Sequence, residues 1–490
     1  MPTRVLSATS LLRDLGLWRD EQGGRSGRPT YVALAETIRL LIHDGRIPLG
    51  VALPSERDLA AALQLSRTTI TSAYGMLREQ GYVLSRQGSR GVVALPSAAK
   101  PTTGVTTFAA PVAAPDRPLV DLTIAAMPAP AQVQDAYASA LQQLPAFLGT
   151  HGMDPIGTAA LREAIANRYT ERGLPTNPDQ VLVTLGAQHA LRLLLTVLTA
   201  PGERVLIEHP SYPNAIQAIR DVGARPVPVP LHPDRDGWDM DAIRSAARQT
   251  AARMAYLVPD FHNPTGLCLS ADGRAELAMI ARETRMTVVV DESMVELSLD
   301  ESPPAPVAAF GRGVEIATIG SASKSFWGGL RVGWVRAGRG LINRLLGSRA
   351  SIDLGTPVMD QLAAAHLIED PLPVLEPRRA ALRTQRSSLL DALAEHLPDW
   401  RSAPGPGGMS LWVQLPAAVS SALAAAAPNF GVLLAAGPRF GVEGAFERYV
   451  RLPYTHTEAD LRLAVSGLAA AYEVVAPRTS AALAQPLVLV

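Results

Sequence analysis

Lysine is almost absent from this chain: only Lys100 and Lys324 occur among 490 residues, and every other long basic side chain is an arginine. The single cysteine, Cys268, excludes an intramolecular disulfide framework and is typical of a reducing compartment. The formal net charge is zero, so the chain as a whole gives no electrostatic signal for nucleic acid. No apolar leader of the signal-peptide type stands at the N-terminus. These absences predict a cytoplasmic globular protein that has no membrane partner.

Residues 402–438 contain no charged side chain, which is the one feature that favours a membrane span. Pro404, Pro416 and Pro428 interrupt this stretch, together with the glycines at 405, 407 and 408. A spanning helix needs about 20 consecutive apolar residues without such breaks. We therefore expect buried core elements joined by turns.

The second lysine lies in the stretch 321–334, with sequence SASKSFWGGLRVGW. Lysine, unlike arginine, can lose its proton near neutral pH and form a Schiff base with an aldehyde. Ser321 and Ser323 offer hydroxyl groups, and Arg331 offers a guanidinium group that grips phosphate. A Schiff-base lysine beside phosphate ligands predicts a pyridoxal 5'-phosphate (PLP) site. The alternative is a solvated lysine in a Gly/Ser loop.

The first 95 residues are mildly basic, with twelve arginines against eight acidic residues. Apolar residues at helical spacing predict a helix over 31–45, and Ser55 and Ser66 are N-cap candidates for two further short helices. Two short helices with a tight break are typical of a helix-turn-helix. Residues 81–84 and 91–93 predict a strand hairpin around the basic turn 85–90. A small helical dimerisation module is the alternative reading.

The order of the motifs LPSERDLA, LSRTTI, LREQGY and SRQGSRG resembles the GntR family of winged helix-turn-helix domains over residues 31–94. The resemblance implies that this domain binds double-stranded promoter DNA. The implied DNA contacts are Arg57, Ser66, Arg67, Thr68 and Thr69, with Arg86 and Gly88 in the wing and Arg46 at a phosphate. Residues 1–30 are assigned to an N-terminal extension. Residues 95–118, rich in proline and alanine, are read as a semi-extended linker.

From residue 121 onward, predicted strands and helices alternate. Strands are expected at 181–184, 203–208, 252–258 and 286–290, with helices at 187–198, 213–222 and 272–284. Such alternation predicts a mostly parallel sheet covered by helices on both faces, which binds ligands at the carboxyl ends of its strands. Residues 119–478 are assigned to this domain and residues 479–490 to a tail.

Candidate ligand residues follow those strand ends. These residues could instead have purely structural roles, as ordinary turns, a core tyrosine and a structural ion pair. The motifs GAQ, PSYP, NPTG, a strand-final aspartate, SASK…GLR and VRL occur in this order, and the order is similar to that of the fold-type I aminotransferases over residues 120–475. The resemblance implies a small C-terminal subdomain and PLP as cofactor. It implies that Lys324 bonds the cofactor, Asp291 pairs with the ring nitrogen, Asn263 reaches the ring oxygen and Tyr212 stacks on the ring. The implied phosphate ligands are Ala187, Gln188, Ser321 and Arg331, and Arg451 is implied to take a carboxylate; no metal site is expected.

A GntR-like domain joined to an aminotransferase-like domain resembles the MocR family of transcriptional regulators. We therefore expect a homodimeric regulator that senses PLP, or an amine or amino acid that forms an external aldimine with it. An active aminotransferase with a non-essential N-terminal domain is the alternative. Two departures bear on this choice: Ser293 stands where the family usually has a tyrosine, and Thr150-His151 offers no tyrosine for the partner subunit's phosphate.

Overall fold

The computed structural model describes residues 5–15, 29–44, 46–48, 50–84, 91–94, 119–232 and 237–476. The N-terminal part contains α1 (Ala8–Leu15), α2 (Thr30–His43), α3 (Glu56–Leu63), α4 (Arg67–Glu79), β1 (Val83–Leu84) and β2 (Val92–Val93). The hairpin β1–β2 is antiparallel. This confirms the predicted helix-turn-helix followed by a hairpin.

Two serine caps begin the helices of the helix-turn-helix. Ser55 Oγ accepts a hydrogen bond from the Asp58 N–H (3.1 Å), and Ser66 Oγ accepts one from the Thr69 N–H (3.1 Å). Between the two helices Gln64 adopts the left-handed conformation, with φ of 53°, which ends α3 and turns the chain. The predicted caps are therefore present, and they fix where α4 begins.

Helix α1 falls in the segment that we assigned to an N-terminal extension. Its Leu11 and Leu15 are buried in the same apolar core as Leu34, Leu59 and Ile70 of the three following helices. The extension thus contributes a helix to the core of the small domain, which the sequence analysis missed.

The rest of the described chain alternates strands with helices. The strands are β3 (Val120–Asp121), β4 (Val181–Thr184), β5 (Arg204–His209), β6 (Arg225–His232), β7 (Gly237–Trp238), β8 (Met254–Leu257), β9 (Thr287–Asp291), β10 (Ile316–Ser321), β11 (Gly333–Arg336), β12 (Arg401–Ser402), β13 (Ser410–Gln414), β14 (Val432–Leu433), β15 (Ala435–Ala436) and β16 (Tyr449–Pro453). The helices are α5 (Gln132–Gln143), α6 (Pro145–Leu148), α7 (Ala159–Glu171), α8 (Ala187–Leu198), α9 (Pro213–Asp221), α10 (Met240–Thr250), α11 (Ala271–Thr284), α12 (Val307–Phe310), α13 (Ala322–Ser325), α14 (Arg339–Arg349), α15 (Val358–Glu369), α16 (Leu372–His396), α17 (Ser420–Ala426) and α18 (Glu458–Val475).

Within the described residues, eight strands form one sheet in the order β4-β11-β10-β9-β8-β5-β6-β7. The pairs β10–β9, β9–β8, β8–β5 and β5–β6 are parallel, whereas β11 is antiparallel to both of its neighbours. Strand β4 therefore runs in the same direction as β10, and its carboxyl end lies at the same edge. This confirms the predicted large α/β sheet and adds two antiparallel strands to it, β11 inside the sheet and β7 at its edge.

A second, antiparallel sheet of order β12-β13-β16-β15 forms the C-terminal subdomain. Its core includes Leu411, Leu452 and Leu461 from β13, β16 and α18. The charge-free stretch 402–438 supplies β13 and α17, so it is buried core broken by turns, as expected. Among the described residues, no helix combines the length and the apolar composition that a membrane span requires.

Candidate functional site

The candidate ligand residues of the large domain gather at one edge of the eight-stranded sheet. Asp291 and Ser321 are the last residues of β9 and β10, and Gly186 follows β4. Tyr212 and Asn263 come shortly after β5 and β8. Because β4, β5, β8, β9 and β10 run in the same direction, these side chains meet at the carboxyl edge, as the sequence predicted.

Lys324 lies on the single helical turn α13 directly after β10, and its Nζ donates a hydrogen bond to the Ala125 carbonyl (2.7 Å). Burial first, and then the positive charge of Arg451, lower the pKa of Lys324 to about 8, against the opposing charge of Asp291. An amine with such a pKa is partly unprotonated near neutral pH. Lys324 therefore has the property that a nucleophilic lysine needs.

The Asp291 carboxylate is held from two sides. Its Oδ2 accepts from the Tyr256 hydroxyl (2.7 Å) and its Oδ1 accepts from the Ser293 N–H (2.9 Å). Tyr256 is fully buried on β8, and burial together with the Asp291 charge raises its pKa well above the ordinary value. The hydroxyl therefore remains a donor that fixes the carboxylate.

Sequence reasoning did not single out Tyr256. The available signal was its position in the short apolar strand Met254–Leu257, where a buried phenol requires a hydrogen-bond partner.

A glycine-lined cradle surrounds the start of α8. Gly186 caps this helix with φ of 82° and no side-chain cap, so the Ala187 and Gln188 N–H groups have no partner inside the helix. A Cβ on Gly186 would lie 2.9 Å from an Nη of Arg331, and a Cβ on Gly333 would lie 2.5 Å from the Gly186 carbonyl carbon. The backbone and Arg331 therefore approach this point closely, in the manner of an anion site at a helix N-terminus.

The candidate serine Ser321 caps the lysine-bearing turn. Its Oγ accepts a hydrogen bond from the Ser323 N–H (3.1 Å), which fixes the hydroxyl beside α13. Arg331 is in the left-handed conformation with φ of 51°, and within the described part of the chain its side chain makes two long hydrogen bonds, to the Gly328 carbonyl (3.3 Å) and the Leu185 carbonyl (3.4 Å). Its guanidinium group thus retains donor capacity at the mouth of the site.

Arg451 approaches the same site from the second sheet. It is 6% exposed, it donates to the Thr123 carbonyl, and its guanidinium carbon lies 5.2 Å from the centre of the Phe440 ring. Burial lowers its pKa to about 10. Among the described residues it contacts a carbonyl and an aromatic ring, and no carboxylate forms the ion pair that the structural alternative requires.

Tyr212 lies at the start of α9, and its hydroxyl accepts from the Asn214 amide (2.8 Å). Burial and the Asp291 charge raise the pKa of Tyr212. The phenol is therefore neutral, and it lies close enough to Asp291 for the carboxylate charge to oppose its ionisation.

Several buried polar atoms of this edge lack a hydrogen-bond partner among the described residues. They are Asn263 Oδ1, Ser293 Oγ, Ser323 Oγ and Arg451 Nε. Buried polar atoms are normally paired, so this many unpaired atoms around one lysine indicate a polar ligand.

The exposed face of the small domain carries the candidate DNA contacts. Ser66 Oγ also makes hydrogen bonds with the hydroxyls of Thr68 (2.8 Å) and Thr69 (2.7 Å), which orders the start of α4. Arg57, Arg67 and Thr68 are exposed, and the side chain of Arg67 is 74% exposed. The first turn of α4 therefore presents hydroxyls and charge to solvent.

Three other predicted DNA contacts are not found on this exposed face among the described residues. Arg46 is half-buried, and its guanidinium donates to the Asp14 carbonyl (3.3 Å), so it is occupied at α1. Arg86 and Gly88 lie outside the described residues.

An ion pair that the sequence analysis did not predict joins the small domain to the large domain. Arg13 of α1 lies 2.7 Å from the carboxylate of Asp239, the residue that caps α10.

Residues 118–468 match the family described as aminotransferase class I and II, and residues 30–93 match the bacterial regulatory proteins of the gntR family. YdfD of Bacillus subtilis, an uncharacterized HTH-type transcriptional regulator, is 26% identical over 88% of this chain and 94% of its own length. The arginine–pyruvate transaminase AruH of Pseudomonas aeruginosa is 34% identical over 60% of this chain and 76% of its own length. The regulator thus matches nearly the whole chain, and the transaminase matches only part of it.

The crystal structure of LysN, an alpha-aminoadipate aminotransferase from Thermus thermophilus in complex with N-(5'-phosphopyridoxyl)-L-leucine, superposes with a TM-score of 0.67 at 29% identity. The match covers 73% of this chain and 92% of LysN. This similarity confirms the predicted aminotransferase-like fold of the large domain.

Proposed function

Because the chain belongs to the aminotransferase class I and II family and carries a gntR-family domain ahead of it, we propose that it is a PLP-dependent transcriptional regulator of the MocR type. In this proposal the small domain binds promoter DNA and the large domain senses PLP, or an amine or amino acid that reacts with it. The observation that carries the proposal is the presence in one chain of an exposed, serine-capped recognition helix and a buried lysine of lowered pKa.

The strand-edge residues fit PLP. The unpaired buried atoms of Asn263 and Ser323 call for a polar ligand, and the cradle at Gly186 excludes any side chain larger than hydrogen. Lys324 would hold the aldehyde carbon, and Asp291, positioned by Tyr256, would accept from the ring nitrogen. Asn263 would serve the ring oxygen and Tyr212 would stack on the ring. The phosphate would be bound by Ala187, Gln188, Ser321 and Arg331. When bound, PLP supplies an aldehyde that reacts with primary amines and a ring that withdraws electrons.

Arg451 would bind the carboxylate of an amino-acid effector. It lies on β16 of the C-terminal subdomain, whereas Lys324 follows β10 of the large sheet. An effector that reaches both residues therefore bridges the two subdomains.

The short segment from Asp121 to Pro128 supplies a route from this site to the DNA-binding domain. Arg451 donates to the Thr123 carbonyl, Lys324 donates to the Ala125 carbonyl (2.7 Å), and Arg378 donates to the Pro128 carbonyl (2.8 Å). The segment begins three residues after the linker 95–118. A ligand that engages Lys324 and Arg451 competes with the Ala125 and Thr123 carbonyls and thereby loosens this segment.

We also propose that the chain is a homodimer. Four large apolar residues are exposed: Leu148, Met153, Ile352 and Leu354. The Gly355 loop lies against Asp154, since a Cβ added to Gly355 would fall 2.6 Å from the Asp154 carbonyl oxygen. Exposed apolar surface of this kind marks interfaces. The surface includes the region of His151, the residue that replaces the usual tyrosine.

The visible absorption of the PLP-loaded chain tests the cofactor proposal. We expect a PLP-dependent band in wild type that is absent in Lys324→Ala. Lys100→Ala is the matched control, because Lys100 is the only other lysine, and it should keep the band. Loss of the band in both variants, or in neither, would contradict Lys324 as the site.

DNA binding tests the regulatory proposal. A duplex selected by the chain from a random library serves as the probe, and its affinity is measured with and without PLP and amino acids. We expect PLP or an amino acid to change the affinity for wild type and to leave Lys324→Ala unchanged. Equal affinity under every condition would contradict the coupling.

The alternative is an active aminotransferase. The 34% sequence identity to the transaminase AruH favours this alternative. Ser293, which occupies the position where a tyrosine is usual, argues against it. Steady transfer of an amino group from an amino acid to a 2-oxo acid, without selection of any DNA sequence, would establish this alternative.

A further inference from the structure

A recess of about 500 Å³, mouth included, lies behind the turn that carries Lys324. Ser321 and Ser325 line it from that turn, while the Lys324 amine points to the Ala125 carbonyl instead. The apolar and aromatic part of the wall consists of Ile165, Tyr169, Val295, Phe326, Trp334 and Ile368. The lining is mainly apolar, as in most small-molecule sites.

Trp334 lines this recess and packs against Gly320 of the neighbouring strand. A Cβ added to Gly320 would fall 2.2 Å from its indole ring, so only glycine permits this packing. The indole Nε1 donates to the Tyr169 hydroxyl (3.2 Å), which fixes the ring further. The recess therefore has a rigid aromatic surface on which a flat ring can stack.

The charged groups of the recess balance each other. Arg168 donates two hydrogen bonds to Glu296 (2.9 and 2.7 Å), and Arg172 donates one to Glu292 (2.6 Å). Arg168 also contacts Glu171, which is largely exposed and so is screened by water. The buried pairs leave no net charge, and this favours a ligand without net charge.

The innermost pair, Arg172 and Glu292, is incompletely bonded. The Glu292 side chain is 1% exposed, and its Oε2 accepts from Arg172 Nη1. Its Oε1 and the Nη2 group of Arg172 are buried without a hydrogen-bond partner among the described residues. A buried polar atom left without a hydrogen-bond partner is unfavourable. The pair thus offers one acceptor and one donor to a ligand.

We propose that this recess binds a small uncharged aromatic compound that carries an acceptor and a donor on neighbouring atoms, as a carboxamide or a lactam does. Its carbonyl oxygen accepts from Arg172, its N–H donates to Glu292, and its ring packs on Trp334. The site is distinct from the strand-edge site and goes beyond the proposed function. Ser321 lines it, and its Glu292 directly follows Asp291 in the chain, so a ligand in the recess lies next to two residues of the strand-edge site.

Benzamide is the test ligand, because it has the ring and the acceptor–donor pair but no amine that reacts with PLP. N,N-dimethylbenzamide keeps the acceptor and lacks the donor. Titrations of the full chain, with and without PLP, are followed by calorimetry or ligand-observed NMR. We expect saturable binding of benzamide with Kd on the order of 1 mM, a value usual for so small a ligand, and at least tenfold weaker binding of the dimethyl compound. Equal binding of the two compounds, or no saturable binding of benzamide, would overturn the proposal.

Val295→Phe locates the site, since Val295 is half-buried in the recess and a larger side chain there fills it. Val314→Phe is the matched control at a half-buried valine that packs in a different core. We expect Val295→Phe to weaken benzamide binding at least tenfold and Val314→Phe to leave it unchanged. Wild-type affinity in Val295→Phe would refute this site. Benzamide binding should persist in Lys324→Ala, so failure here is separate from failure of the PLP proposal.

Discussion

The helix-turn-helix and the strand-edge site use the same side chains, arginine and serine, under opposite conditions. Arg67 at the start of α4 has a side chain that is 74% exposed, whereas Arg451 is 6% exposed. Water and salt screen the charge of Arg67, so its electrostatic contribution to binding is small and is shared with neighbouring basic residues. Arg451 is buried, so its charge is poorly screened and lowers the pKa of Lys324. Single substitutions should therefore have large effects at the strand-edge site and small effects in the small domain.

Asp291→Ala should give the largest effect. It removes the proposed partner of the ring nitrogen and leaves the Tyr256 hydroxyl buried without its acceptor. Because a hydrogen bond to a charged group contributes up to about 3 kcal/mol, PLP affinity should fall about 100-fold. Equilibrium dialysis measures this. Asp272→Ala, at an exposed position of α11, is the control and should bind PLP normally. An Asp291→Ala protein that folds and binds PLP as wild type does would exclude the proposed role.

The pH dependence of PLP association tests the burial of Lys324. Its pKa is lowered to about 8, so the unprotonated amine becomes scarce below pH 8 and dominant above it. The association rate should rise about fifty-fold between pH 6 and pH 8 and then level off. Stopped-flow absorbance measures the rate, with Nα-acetyl-lysine as the control. The rate for this free amine should continue to rise toward pH 10, and the same behaviour in the protein would show that Lys324 has an ordinary pKa.

Gly186→Ala distinguishes the cradle from backbone strain. The φ of 82° makes any side chain at Gly186 unfavourable by about 1 kcal/mol, and the new Cβ would meet Arg331 at 2.9 Å. Gly313→Ala has the same strain, with φ of 78°, but open space around it. Both variants should lose similar stability in urea unfolding. Only Gly186→Ala should also weaken PLP binding, by about tenfold, since it displaces Arg331, a proposed phosphate ligand.

The parts of this fold that the sequence predicted are those with a local signature. Strand β4 and helix α8 begin and end where the apolar pattern and Gly186 place them, and Ser55 and Ser66 are caps because their side chains bond three residues ahead. The antiparallel direction of β11 has no local signature, because strand direction depends on which neighbours pair with it. Helix α1 has a local signature as well, because Ser7 Oγ accepts a hydrogen bond from the Ser10 N–H (3.0 Å), and the sequence analysis overlooked it.

The site divides in the same way. The order of motifs along the chain indicated Lys324, Asp291 and Arg331. The partners that tune them come from distant positions: Tyr256 is 35 residues from Asp291, and Ala125 is 199 residues from Lys324. Contacts between such distant residues depend on tertiary packing, which spacing in the sequence does not reveal.

The smallest effect is expected for Arg67→Ala, at the exposed end of the comparison. Arg67 lies 4.0 Å from Glu56 and is otherwise free to reach a phosphate at the start of α4. If it neutralises one phosphate, its removal should weaken binding about equally for all sequences. It should also reduce the slope of log affinity against log salt concentration by about 1. Fluorescence anisotropy at several salt concentrations measures both quantities. Arg192→Ala, at an exposed arginine of α8 in the large domain, should change neither. A strong loss on one duplex only would mean instead that Arg67 reads a base. A single residue of the small domain would then have a large effect, as residues of the strand-edge site are expected to have.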